Sequence, residues 1–284
     1  MSDAVVIAGH ALREAVRRRV LLVVGLLTVA FLGLYALAAF QVFDSLEASD
    51  GGFIAIDDRA LAGGTLLGLA MFAILFLGVV LAVFLTLGAV RGDAERGLLQ
   101  PLVVRPVGRT TLLAGRLLAA SAVCAPYVVA VFLAAVAITR VAGDFTPGSI
   151  VVPAAGLALG VVSVVAISLL GSTLLGATAN GIAIFMLFGT GLAAGLLGQI
   201  GDALDVDALT TASSIISWAV PFEALYENGL HALTADIGGV TGVIVQLGPF
   251  GGASDASAAL WPWALAWTAA MVALAALSFR RRDL

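Results

Sequence analysis

The side chains that most often perform catalysis or bind metals are scarce in this chain. Its 284 residues include one cysteine, Cys124, two histidines, His10 and His231, and no lysine. A phosphate-binding P-loop needs a lysine, so the chain cannot form one. Two histidines are too few for a metal site, and the chain has neither an HExxH nor a GxSxG motif. We therefore predict that the chain is not an enzyme and holds no metal or cofactor of its own.

Arginine and acidic residues are concentrated in residues 91–116, which read RGDAERGLLQPLVVRPVGRTTLLAGR and include the loop predicted at 91–111. Four residues prevent a continuous helix there: Gly97, Pro101, Pro106 and Gly108. Between these breaks, Ala94–Gln100 can form about two helical turns, with charges at its start and leucines behind. This shape suits docking into a groove of a partner protein. The alternative is a basic loop that rests on lipid headgroups.

The elements that must hold this loop are membrane helices. The chain is 61% hydrophobic, only 11% charged, and has a mean hydropathy of +1.12. Soluble domains average about 25% charged residues, and uncharged apolar runs of about 18 residues or more are typical of membrane spans. We predict an all-α integral membrane protein with six transmembrane helices, at residues 20–40, 61–90, 112–139, 150–178, 181–200 and 260–279.

Two further elements complete this prediction. Residues 3–19 place apolar side chains at helical spacing and arginines largely on the other side, which predicts an amphipathic helix in the membrane interface. Asn180-Gly181 is a turn signal, and we expect it to join the fourth and fifth spans in a tight cytoplasmic hairpin.

The arginines predict the topology. Twelve of the fourteen lie before Val20, between Arg91 and Arg116, or at 280–282. The opposite segments, 41–60, 140–149 and 201–259, carry thirteen of the eighteen acidic residues. Cytoplasmic loops retain an excess of arginine and lysine. We therefore expect a multi-pass protein of the plasma membrane with both termini in the cytoplasm.

Residues 201–259 form the largest segment outside the predicted spans. The segment is apolar but interrupted by Pro221, Pro249 and paired glycines. We expect short exterior helices that lie on the outer leaflet or re-enter it. A pair of extra short spans is the alternative.

Small residues recur at helical spacing in the fourth and fifth spans, as Gly156 with Gly160 and Gly191 with Gly195. This spacing lets helices approach closely, which favours a role in packing over a role in a substrate path. The central stretches of the six predicted spans hold no charged residue, since Arg116 lies near the start of the third span. Ion-coupled transporters usually keep a charged residue at membrane depth. We therefore expect transport to be driven from outside the membrane and disfavour an ion-coupled carrier.

At residues 91–116 the chain resembles the permease subunits of ABC-2-type transporters, and within them the NosY-like group. That family has a Glu-x-Gly-Thr-Leu stretch after its second span and then a Pro-Val-Ser-Arg element. The matching residues are Glu95, Gly97, Leu99, Leu102, Pro106, Val107 and Arg109. The departures are Leu98 in place of threonine, Pro101 in the leucine stretch, and Gly108 in place of serine. The amphipathic amino terminus and the final Phe-Arg-Arg-Arg-Asp-Leu, 279–284, also resemble the family.

This resemblance implies a dimeric membrane unit, as a homodimer or paired permease, bound to two cytoplasmic ATPase subunits that hold ATP and magnesium. The 91–111 loop would be the coupling element that seats in a cleft of the ATPase. Its coupling residues would be Glu95, Arg96, Gly97, Leu98, Leu99, Arg105, Pro106 and Arg109. The expected function is an ABC permease, most simply an exporter, with no nucleic-acid partner. The alternative is a NosY-like mechanotransmitting assembly factor that acts on an exterior partner through 201–259.

Overall fold

The computed structural model describes residues 19–48, 57–87, 108–237 and 257–280. These residues form an all-helical protein without strands, as predicted. The described helices are α1 (Arg19–Glu47), α2 (Asp58–Thr86), α3 (Arg109–Gly143), α4 (Val151–Leu174), α5 (Ala177–Leu204), α6 (Asp207–Ala219), α7 (Pro221–Thr234) and α8 (Leu260–Arg280). The predicted helix at 3–19 lies outside the described residues except for Arg19, which begins α1.

Six of these helices are long and apolar enough to cross a membrane, which confirms the predicted number of spans. They are α1 to α5 and α8, each with at least 21 residues. About 20 residues suffice to cross a hydrocarbon core. The remaining two, α6 and α7, have 13 and 14 residues and are too short to span it.

Chain direction gives the bundle two chemically different ends. We call the end where α1 and α3 begin and α8 finishes the arginine end, because Arg19, Arg109 and Arg280 are these terminal residues. The opposite end is the acidic end. There the Asp57 carboxylate accepts a hydrogen bond from the backbone N–H of Ala60 at 3.0 Å and caps the start of α2.

Helix α4 lies at the centre of the bundle and packs against α2, α3, α7 and α8. It runs parallel to α8, and two hydroxyl contacts join these helices: Ser163 to Thr268 at 2.8 Å and Thr173 to Ser278 at 3.1 Å. Helix α1 is far less enclosed and exposes a row of large apolar side chains. Such a face suits lipid and would be unfavourable in water.

The hairpin between α4 and α5 corrects the predicted turn. The helices are separated at Leu175–Gly176, not at Asn180-Gly181, and Asn180 lies within the first turns of α5. Its side chain is fully buried, and its Nδ2 donates a hydrogen bond to the Ser168 carbonyl at 3.0 Å. Asn180, which the sequence predicted to form a turn, therefore makes a contact between helices. The residue with extended backbone that precedes α5 is Gly176.

Candidate functional site

The predicted ATPase-coupling residues are located almost entirely outside the described residues. Those outside are Glu95, Arg96, Gly97, Leu98, Leu99, Arg105 and Pro106. Arg109 is the exception and begins α3, directly after Gly108, whose extended backbone precedes the helix. The described residues before and after the loop, at the end of α2 and the start of α3, both lie at the arginine end.

A buried polar cluster, Thr86, Ser168 and Asn180, lies at the point where the loop leaves α2. The hydroxyls of Thr86 and Ser168 are 2.6 Å apart, and Asn180 Nδ2 donates to the Ser168 carbonyl. All three side chains are at most 1% exposed. Because a buried polar group is costly unless it is bonded, this cluster ties the end of α2 to both α4 and α5.

At the acidic end, α6 and α7 form a hairpin that re-enters the bundle. Helix α6 packs along α5, where a side chain on Gly198 or Gly201 would meet Ser213 or Thr210. After the turn at Val220, α7 runs back along α4 to the acidic end, where the Gly148 N–H donates to the Leu233 carbonyl at 3.2 Å. The tip of this hairpin therefore lies inside the bundle.

Glycines on both neighbouring helices make room for α7. A Cβ on Gly156 of α4 would lie 2.9 Å from the carbonyl oxygen of Leu225, and one on Gly160 would lie 3.5 Å from Phe222 Cβ. On α5, a Cβ on Gly191 would lie 3.0 Å from the Phe222 ring. The small residues read in the sequence as packing positions are thus the surfaces on which α7 sits.

Glu223, in the first turn of α7, is the most unusual residue of this hairpin. It is 1% exposed, and its Oε1 accepts a hydrogen bond from the backbone N–H of Gly195 at 2.7 Å. Its Oε2 has no hydrogen-bond partner among the described residues. Phe222 beside it stacks on Phe188 of α5, with ring centroids 5.5 Å apart.

Burial is the largest influence on this carboxyl. Burial, followed by the charge of Glu227 one turn away, raises the pKa of Glu223 to about 8, against the lowering effect of the Gly195 N–H. Because burial raises its pKa, this carboxyl keeps its proton at a higher pH than an exposed glutamate does.

The sequence placed Glu223 with the other acids of the exterior segment and missed this environment. One local signal was available, since Glu223 interrupts the apolar run from Ile215 to Leu225. That signal does not distinguish an acid at a membrane surface from one inside the bundle. The contacts of α7 with α4 and α5 are what bury Glu223 inside the bundle.

A separate cavity of about 470 Å³ opens at the acidic end, between α2, α3 and the end of α7. Its polar lining includes Asp57, Arg59, Asp144 and Asp236. Arg59 also forms an exposed salt bridge with Glu47 of α1 at 2.7 Å. The cavity is open and acidic, and no group of three or more His, Cys, Asp or Glu residues able to hold a metal ion occurs in the described parts of the chain.

The family model for ABC-2 family transporter proteins matches residues 5–284. No curated protein matches the chain by sequence. The match covers nearly the whole chain, including the six apolar helices, the hairpin and the arginine-rich loop. It agrees with the resemblance read from the loop motif, although it does not confirm the NosY-like group. The chain belongs to the ABC-2 transporter family, as a multi-pass membrane permease component of an ABC transporter.

Proposed function

We propose that the protein is the permease of an ABC exporter, working as a homodimer or as one of two paired permeases, with separate ATPase subunits docked on the 91–111 loop. The observation that carries this proposal is the Thr86–Ser168–Asn180 cluster. A displacement of the loop would pull on the end of α2, and the cluster connects that end to α4 and α5. ATP-driven closure of the ATPases would then shift the helices between two arrangements.

The direct test reverses charge in the loop. We expect Glu95→Arg combined with Arg109→Glu to leave the protein folded but to abolish stimulation of the co-purifying ATPase in reconstituted vesicles. The matched control is the reversal of the exposed pair at the other end, Glu47→Arg with Arg59→Glu, which should leave stimulation unchanged. Equal stimulation by the loop variant and the wild type would contradict docking on this loop.

In this proposal, the arginine end faces the cytoplasm, so both termini lie inside. The supporting observation is the concentration of arginine at one end and of acids at the other. The native Cys124 is fully buried, so single cysteines introduced elsewhere give a clean signal. A membrane-impermeant maleimide added to whole cells should label Asp144→Cys at the acidic end and not Thr110→Cys at the arginine end; both positions are exposed. The reverse pattern would refute this orientation.

A second candidate function is force transmission to an exterior partner protein. The α6–α7 hairpin contacts α4 and α5 and ends beside the acidic cavity, so movement of these helices would reach that surface. Deletion of residues 225–255 is one possible test, but it would also remove the buried side chains of Leu225, Tyr226 and Leu230, so it would not test the surface alone. Asp144→Arg with Asp236→Arg is a cleaner change. It should remove binding of an exterior partner while ATPase stimulation persists, and retained binding would refute this role.

A further inference from the structure

The α6–α7 hairpin brings a carboxyl to a depth that the six spans leave uncharged. Phe222 lies against Gly160 of α4. Gly160 is nine residues from the start of α4 at Val151, which corresponds to about 14 Å along the helix axis. A hydrocarbon core is about 30 Å thick. Glu223, the next residue of α7, is therefore held well below the acidic surface.

No positive charge compensates Glu223 from the helices packed around it. These helices are α2, α4, α5, α6 and α8. Helix α4 has no ionisable residue, and the only ones on α5 and α6 are Asp202 and Asp207. Helix α8 carries only Arg280, at the arginine end, and α2 carries Asp58 and Arg59, with Arg59 bonded to Glu47. On α7 itself the titratable neighbours are Glu227, Tyr226 and His231.

The hydrogen bonds around Glu223 suit a neutral carboxylic acid. Oε1 accepts a hydrogen bond from the Gly195 N–H, as a carbonyl oxygen would, whereas Oε2 has neither a donor nor an acceptor within reach among the described residues. An unpaired neutral hydroxyl costs less free energy in such a site than an unpaired charged oxygen. A buried carboxylate without a counter-charge or a full set of donors is strongly disfavoured. Oε2 would also lie 3.5 Å from a Cβ placed on Gly191, so α5 closes over this oxygen without a polar group.

We propose that Glu223 is a proton-binding site of the permease, and that its protonated form holds α7 against α5. On release, the Oε2–H bond breaks, the proton passes to water at the acidic end, and the charged side chain leaves its seat beside Gly191 and Gly195. We assign a proton and not a metal ion because no group of three or more His, Cys, Asp or Glu residues able to hold a metal occurs among the described residues. The position of α7 in the permease would therefore depend on pH, whichever surface the ATPase binds.

The direction of the pH effect follows from linkage. The docked state favours the protonated acid, so α7 is most firmly seated at low pH. Between the ordinary pKa of a glutamate, about 4.5, and the raised value, about 8, the docked population falls about tenfold per pH unit relative to the released one. Above the raised value it falls no further.

Infrared spectroscopy and hydrogen exchange of the full chain in lipid nanodiscs test the proposal. The wild-type difference spectrum between pH 6 and pH 9 should show the loss of a protonated carboxyl band, and that band should be absent in Glu223→Gln. The exchange protection of residues 221–234, corrected for the intrinsic rate, should fall about a hundredfold from pH 6 to pH 8 in the wild type. It should stay constant in Glu223→Gln, whose carbonyl can still accept from Gly195.

Glu227→Gln is the matched control, because it removes one acid from the same helix and keeps Glu223. It should retain both the infrared band and the pH-dependent protection. A wild-type spectrum that shows Glu223 already ionised at pH 6 would overturn the proposal, and this measurement does not depend on the folding of any variant. Protection of α7 that changes equally with pH in the wild type and in Glu223→Gln would also overturn it.

Discussion

Adding a single methyl group to α4 gives the sharpest test of the packing that holds the re-entrant hairpin. In Gly156→Ala, the new Cβ would lie 2.9 Å from the carbonyl oxygen and 3.6 Å from the carbonyl carbon of Leu225 in α7. Both atoms belong to the backbone, so no side-chain rotation can relieve the contact. The two helices must move apart by a few tenths of an ångström.

The expected change in the free energy of unfolding of Gly156→Ala is the sum of two opposing contributions. Overpacking of this kind costs about 1–3 kcal/mol. Alanine in place of glycine in a helix returns at most about 1 kcal/mol. The free energy of unfolding should therefore fall by between zero and about 2 kcal/mol, which corresponds to a Tm lower by up to about 8 °C. Because the close contact is with α7, exchange protection of residues 221–234 should fall more than that of α1.

The assay is thermal unfolding of the purified protein in one detergent, followed by circular dichroism. Gly33→Ala in α1 is the matched control, because a Cβ there meets nothing within 4 Å. We expect its Tm to equal or slightly exceed the wild-type value. If Gly156→Ala is as stable as Gly33→Ala, the backbone of α7 is not in close contact with α4 at Gly156. The proposed packing of α7 on the glycines of α4 and α5 would then be wrong.

Three further predictions concern other contacts. Thr86→Val removes the hydroxyl that contacts Ser168 at 2.6 Å in a buried site. It should lower the unfolding free energy by about 1–3 kcal/mol. It should also lower the stimulation of ATP hydrolysis measured per bound ATPase. Arg59→Gln breaks the exposed salt bridge with Glu47 and should change the unfolding free energy by no more than about 1 kcal/mol. The Tm of the wild type should fall as pH rises from 5 to 8, because ionisation of the buried Glu223 costs about 1.4 kcal/mol of unfolding free energy per pH unit across that window. The Tm of Glu223→Gln should change less over the same range. Parallel Tm curves for the two proteins would contradict the raised pKa of Glu223.

Several features of the fold could be predicted because they depend on local composition. The number of spans follows from the number of long, uncharged apolar runs. Each span must by itself be about 20 residues long and apolar to cross a bilayer, whatever it packs against. The observed helices are longer than predicted at the acidic end, where α1 continues to Glu47 and α2 begins at Asp58. Polar residues are acceptable there because those turns extend beyond the apolar core.

The turn between α4 and α5 could not be placed from the sequence. Asn180-Gly181 has the composition of a turn, yet Asn180 is used to bond Ser168, and Gly181 gives room to Leu87, whose Cδ1 would lie 3.0 Å from a Cβ at that position. Turn propensity is a local preference, and a buried hydrogen bond between two helices outweighs it. The break at Leu175–Gly176 is therefore a result of tertiary packing.

Composition and spacing alone were enough to predict a membrane protein with six apolar spans, an arginine-rich loop that resembles that of ABC-2 permeases, and opposite charge at the two ends. Those properties are sums over local segments, and they do not depend on which helices touch. The environment of Glu223, an acid buried inside the bundle, depends on the tertiary structure. Its burial results from α7 folding back onto the glycines of α4 and α5, which are distant in sequence and form a site only when the three helices meet.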